Sequence, residues 1–111
     1  MISSILNELE QLGDPERAEH SQRYFKTGEG EYGEGDRFLG IRVPVTRKLA
    51  SKYKKISIEE AEELLHSPLH EARLLALFIL IYIFKRSDDK DQKRIYTLYR
   101  NNTDYVNNWG V

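Results

Sequence analysis

The stretch Glu71-Ala-Arg-Leu-Leu-Ala-Leu-Phe-Ile-Leu-Ile-Tyr-Ile-Phe84 decides the fold class. Its second half, Ile79 to Phe84, is β-branched and aromatic enough to form a strand in isolation. Its first half, Glu71 to Leu77, consists of helix formers, and no turn residue separates the two. The continuous run therefore reads as one helix, apolar around most of its circumference and buried on most sides. Tyr82 and Phe84 within it are expected in the core.

The flanking segments carry helix signals. Ser67-Pro68 pairs a capping residue with proline and is expected to start the long helix. Ser57 with Glu60 three residues later predicts a capping box, and the acids that follow suit a helix N-terminus. Pro44 opens an earlier helix that runs through Leu49 and Tyr53 to a cluster of lysines. Asp14-Pro15 opens another, to about Lys26, and Ile2, Ile5, Leu6, Leu9 and Leu12 keep helical spacing before Gly13 stops them. On the C-terminal side Asp88 caps a helix from Asp89 to Tyr99, whose Tyr96 and Tyr99 are expected at a helix–helix contact. Thr103 caps a short seventh helix.

No segment alternates with period two beside a hairpin turn, so no sheet is expected. Short helices joined by brief loops predict an all-α fold of antiparallel helix pairs stacked as an array. Without a clear internal repeat, such an array is degenerate. Thr27 to Asp36, with four glycines, is too glycine-rich for a helix and reads as a loop.

Composition narrows the function classes. The chain's 111 residues suit one domain, and 40% apolar content supports a packed core. There is no cysteine, hence no disulfide framework, thiolate metal site or thiol nucleophile. The longest apolar run, Leu74 to Phe84, is about half of a bilayer span, so no membrane partner is expected. With no secretory signal pattern after Met1, the expected location is cytoplasmic.

Charge is distributed unevenly. Residues 1–36 carry nine acids against three bases, whereas residues 37–57 carry seven bases and no acid. Those bases are Arg37, Arg42, Arg47, Lys48, Lys52, Lys54 and Lys55. Such a stripe is either a solvated helix face or a local grip on a polyanion, and charge alone does not choose.

Other chemical signals are weak. Gly28-Glu29-Gly30-Glu31-Tyr32-Gly33 matches a dinucleotide fingerprint in letters only, because no strand precedes it and its glutamates would repel a pyrophosphate. The same acids lack the ligand pattern of a calcium loop. His66 and His70 are four apart, but Pro68 places a turn between them, so zinc is not expected. No cofactor is implied. Tyr24 and Trp109 stand out as aromatics among polar neighbours, one near Arg23 and Lys26, the other after Asn107 and Asn108. Aromatics interleaved with cations suit nucleic acid, and ordinary packing is the alternative.

Arg23-Tyr-Phe-Lys-Thr-Gly28, Glu31-Tyr-Gly-Glu-Gly-Asp36, Phe38-Leu-Gly-Ile-Arg-Val-Pro44, Arg47-Lys-Leu-Ala50 and Tyr105-Val-Asn-Asn-Trp-Gly-Val111 stand in this order along the chain. Together these five blocks resemble the DNA alkylation repair family, the alkylpurine DNA glycosylases built from HEAT-like helical repeats. The resemblance implies a right-handed stack of helix pairs that grips duplex DNA on its concave face. It implies excision of positively charged alkylated purines, of the 3-methyladenine and 7-methylguanine type, by cleavage of the N-glycosidic bond. Trp109 and Tyr24 would be the aromatic walls of the catalytic site. Arg42, Thr46, Arg47 and Lys48 would grip the DNA backbone.

In that family a catalytic aspartate follows the tryptophan by four residues, a position beyond the last residue here. The resemblance thus implies the N-terminal half of a repeat domain, inactive alone, which would self-associate through the apolar face that its next repeat covers. Two other functions fit the same blocks: a non-catalytic relative that binds DNA structures, or a helical-repeat module for protein interaction.

Overall fold

The computed structural model describes residues 2–24 and 37–102, with side chains over 2–20 and 37–102. All regular elements among them are helices: α1 (Ile2–Leu12), α2 (Pro15–Tyr24), α3 (Val43–Lys52), α4 (Ile58–Leu65), α5 (His70–Arg86) and α6 (Asp89–Asn101). The fold is all-α, as the periodicity predicts. The glycine-rich stretch 27–36 and the segment expected to form a seventh helix lie outside the described residues.

Local capping chemistry sets several boundaries. The Asp14 carboxylate accepts the N–H groups of Glu16 and Arg17 at 3.0 and 3.3 Å, starting α2 beside Pro15. Ser57 Oγ accepts the Glu60 N–H at 3.1 Å while the Ser57 N–H donates to the Glu60 carboxylate at 3.0 Å, a complete capping box on α4. Asp88 accepts the Asp91 N–H at 2.9 Å and starts α6.

The start of α5 differs from expectation. It begins at His70, two residues beyond Pro68, because Arg37 intervenes. The Pro68 carbonyl accepts the Arg37 N–H at 3.1 Å, and the Arg37 carbonyl accepts the His70 N–H at 2.7 Å. These bonds make a single parallel bridge between Arg37 and Leu69. Ser67 Oγ accepts the Leu69 N–H at 3.1 Å, closing a turn instead of capping the helix.

α5 is the centre of the packing. Ala72, Leu75, Ala76, Ile79, Leu80 and Ile83 recur at steps of three and four and are buried. The same cluster takes in Leu49 and Ala50 of α3, Leu64 and Leu65 of α4, Ile5 and Leu9 of α1, and Ile95 and Leu98 of α6. Each fully buried leucine or isoleucine contributes roughly 1.5–3 kcal/mol through area removed from water.

The buried stripe is narrower than the helix's apolar circumference, which corrects two core assignments. Tyr82 and Phe84 are 38% and 39% exposed, because they lie outside the face turned to the neighbouring helices. Tyr96 and Tyr99 face α5 as expected but remain 61% and 44% exposed. With Leu77, Ile81 and Phe84 they line an open apolar groove of about 400 Å³ between α5 and α6. No described helix is long and apolar enough to cross a membrane.

Candidate functional site

The basic stripe begins at the loop that leads into α3, and that loop is held from both sides. On one side the Leu39 carbonyl accepts the Asp14 N–H at 2.7 Å. Gly40 adopts φ +82°, the left-handed region that favours glycine. A Cβ there would lie 2.1 Å from the Asp14 carbonyl oxygen and 2.7 Å from the Ala18 nitrogen. On the other side stands Glu71, 3% exposed in the first turn of α5. Its carboxylate accepts the N–H groups of Leu39, Gly40 and Ile41 at 2.9, 3.0 and 3.3 Å. The Phe38 ring stacks on His70 with centroids 4.5 Å apart.

Arg42 follows as the N-cap of α3, with extended backbone and no side-chain cap. Pro44 then presets the first turn. Because Glu71 ties the α3 entry to the start of α5, the two helices begin side by side. Further along, the Arg47 guanidinium lies 5.3 Å from the Phe78 ring centroid and the Lys54 ammonium 5.7 Å from that of Tyr82. The pairs occur in the same order on both segments, so α3 and α5 run in the same direction, with α4 returning between them in sequence.

Of the four residues expected to grip DNA, Arg42, Arg47 and Lys48 are at the surface. Thr46 is not: it is fully buried, and its hydroxyl donates to the Arg42 carbonyl at 3.3 Å. It reinforces the first turn of α3, and its side chain offers no atom to an external partner. The side chain of Tyr24, the last residue of α2, and the whole of Trp109 lie outside the described residues.

Neighbouring cations differ in what neutralises them. Lys52 donates to both oxygens of Glu8 at 2.9 and 3.1 Å, and the Tyr53 hydroxyl donates to Glu8 at 2.7 Å. These donors, Lys52 first, hold the Glu8 carboxyl below the usual glutamate value. In return the carboxylate raises the Lys52 ammonium and the Tyr53 phenol above theirs. Arg94 pairs with Glu59. Arg42, Arg47, Lys48, Lys54 and Lys55 have no carboxylate partner among the described residues. Among the described residues the stripe therefore carries uncompensated positive charge, and its field can attract phosphate.

The histidines do not converge. His66 Nε2 lies 2.5 Å from the Asn102 side-chain oxygen, whereas His70 stacks on Phe38. Among the described residues no group of three or more histidine, acidic or cysteine side chains is placed to hold a metal.

Sequence reasoning missed two features. Glu71 looks like an ordinary first-turn acid, and nothing in the letters shows that its partners are backbone N–H groups some thirty residues earlier. Phe78 and Tyr82 are one helical turn apart, a spacing that could have flagged one face of α5 as a shelf for cations.

A family model described as "DNA alkylation repair enzyme" matches residues 5–111. No curated protein and no solved structure matches the chain.

Proposed function

The chain belongs to the family of DNA alkylation repair enzymes, which supports a role in DNA repair, and from that premise we propose that it supplies the DNA grip of a glycosylase for alkylated purines. The observation that carries the proposal is the set of exposed cations at the start of α3, Arg42, Arg47 and Lys48, without carboxylate partners among the described residues. Lys52 and Arg94, in contrast, are neutralised. The parallel course of α3 and α5 supports reading the helices as the start of a HEAT-like right-handed stack.

The chemistry follows from the leaving group. An alkylated purine that already carries positive charge departs without being protonated, so catalysis reduces to stabilising an oxocarbenium-like sugar. A carboxylate and an aromatic face are suited to that task. In this proposal Trp109 and Tyr24 supply the aromatic faces, and Arg42, Arg47 and Lys48 hold the backbone phosphates on either side of the lesion. The carboxylate is the aspartate that the family resemblance expects four residues after Trp109. Duplex DNA containing alkylated bases is the partner, and the cytoplasm the corresponding location. The open apolar groove between α5 and α6 is the face through which two copies would associate.

Two measurements test the proposal. Duplex binding should weaken with salt, each phosphate contact contributing a log–log slope of about −0.9. Arg42→Ala with Lys48→Ala should flatten that slope by up to ~1.8. A wild-type slope near zero would replace DNA with a protein partner. Release of 7-methylguanine and 3-methyladenine by the full-length protein should be lost in Trp109→Ala. A full-length protein that binds DNA but releases no base would be a non-catalytic relative.

A further inference from the structure

We infer that the cleft between α3 and α5, walled by Phe78 and Tyr82 and bordered by Arg47, Lys54 and Lys85, is a second backbone-phosphate site, continuing the grip of α3 onto α5. The inference rests on the proposal that this chain binds duplex DNA, and adds contacts from Lys54 and Lys85 that neither the family match nor the sequence blocks assign.

Geometry provides the first argument. Arg47, Phe78, Ile81, Tyr82 and Lys85 line one cleft of about 320 Å³ that opens to solvent. The Lys54 ammonium lies over the ring of Tyr82, one of those lining residues, 5.7 Å from its centroid. Cations thus approach the cleft from both helices, Arg47 and Lys54 from the α3 side and Lys85 from α5. None of the three has a carboxylate partner among the described residues.

The second argument concerns what the rings do. A ring face attracts a cation only modestly at an exposed site, and it leaves most of the N–H donors free. A phosphate oxygen takes those donors in charge-assisted hydrogen bonds, which are stronger. Phe78 and Tyr82 therefore hold Arg47 and Lys54 near the cleft before a ligand arrives, reducing the side-chain ordering that binding would otherwise require. The mixed wall favours an anionic occupant over a purely apolar one, since Arg47 and Lys85 both line it, whereas Lys85 alone of the described cations lines the groove between α5 and α6. Lys85 lines both openings, at the junction of the two surfaces.

The third argument is continuity. The N-termini of α3 and α5 are tied together by Glu71, and the helices run in the same direction. A strand of nucleic acid that passes Arg42 and Lys48 at the start of α3 can follow the groove between the helices toward Lys54 and Lys85.

The test is fluorescence anisotropy of a short undamaged duplex titrated with the protein over a range of salt. Lys54→Ala with Lys85→Ala should lower the magnitude of the log–log slope by up to ~1.8, since each lost phosphate contact removes about 0.9. Helical circular dichroism should be unchanged, and Lys54→Gln with Lys85→Gln repeats the experiment with longer side chains should the alanine variant lose structure. A slope equal to wild type in the folded double variant, while Arg42→Ala with Lys48→Ala flattens it, overturns this site and leaves the DNA-binding proposal standing. Absence of salt-dependent binding by the wild type overturns both.

Discussion

The Gly40 N–H donates to the Glu71 carboxylate at 3.0 Å, across 31 residues of sequence. With the Leu39 and Ile41 N–H groups on the same carboxylate, this bond fixes the point at which the chain enters α3. Loss of the acceptor leaves backbone donors without partners in a largely dry site, at roughly 1–3 kcal/mol each. Glu71→Ala is therefore expected to cost about 3 kcal/mol or more, read as a lower urea midpoint. Glu71→Gln keeps one acceptor oxygen and should cost less. Equal stability of Glu71→Ala and wild type would show that the loop holds itself without α5.

Gly40 faces the opposite constraint. An alanine there meets the Asp14 carbonyl at 2.1 Å, a backbone atom that cannot swing away, and occupies an unfavourable positive φ. Strain at such positions is on the order of 1–3 kcal/mol before any clash. Gly40→Ala should thus lower thermal stability, and it should also displace Arg42. Its DNA affinity should fall more than its helical content does, when both are measured at a temperature where the variant remains folded.

Glu8 makes the acid limb of stability testable. Its folded pKa lies below the usual glutamate value, chiefly because Lys52 and then Tyr53 donate to the carboxylate. Its contribution is therefore complete above that value and lost as pH falls through the lower folded one. Lys52 and Tyr53 are raised, so their contributions are complete at neutral pH and fade as pH rises through their folded values. Urea midpoints of wild type and Glu8→Gln should differ most at neutral pH and converge as pH falls through the lowered folded value of Glu8. A gap that persists unchanged in acid would mean that the ion pair is not its cause.

What was legible in the letters was local. Asp14, Ser57 with Glu60, and Asp88 each bond to an N–H two or three residues away, so their spacing carries the information. The start of α5 was not legible, because a residue 31 positions upstream of Pro68 takes up its carbonyl. Tyr82 and Phe84 were misplaced because a helix apolar on all sides gives no periodic signal for which side is covered. At the site, the cations could be counted from sequence, but their partners could not. Lys52 and Lys54 differ by two residues, yet one meets Glu8 and the other a tyrosine ring.

Arg47 and Lys48 are adjacent and should still behave differently. Arg47 rests on Phe78, whereas Lys48 projects from α3 with no partner among the described residues. Removing Arg47 should cost about 0.5–1 kcal/mol of stability as well as one phosphate contact, since its stem and guanidinium pack on the ring. Lys48→Ala should leave the urea midpoint unchanged and reduce only the salt slope of DNA binding. Arg47→Lys separates the two effects: the charge remains while the flat stacking group is lost.

The apolar groove between α5 and α6 predicts an association with the opposite salt response. Ile81 and Tyr96 stand 50% and 61% exposed on its rim, and among the described residues Lys85 is the one charged side chain lining it. A contiguous apolar surface of this kind marks an interaction face, and covering it is driven by removal of that surface from water. Sulfate strengthens such burial, whereas added salt of any kind weakens a phosphate grip. Sedimentation velocity should therefore show a mass that rises with protein concentration and rises further in ammonium sulfate. Ile81→Lys with Tyr96→Lys should hold the protein monomeric with little change in stability, because both side chains are already half in solvent. If the wild type stays monomeric under both conditions, copies of this chain do not cover the groove. If the double variant still associates, another surface is responsible.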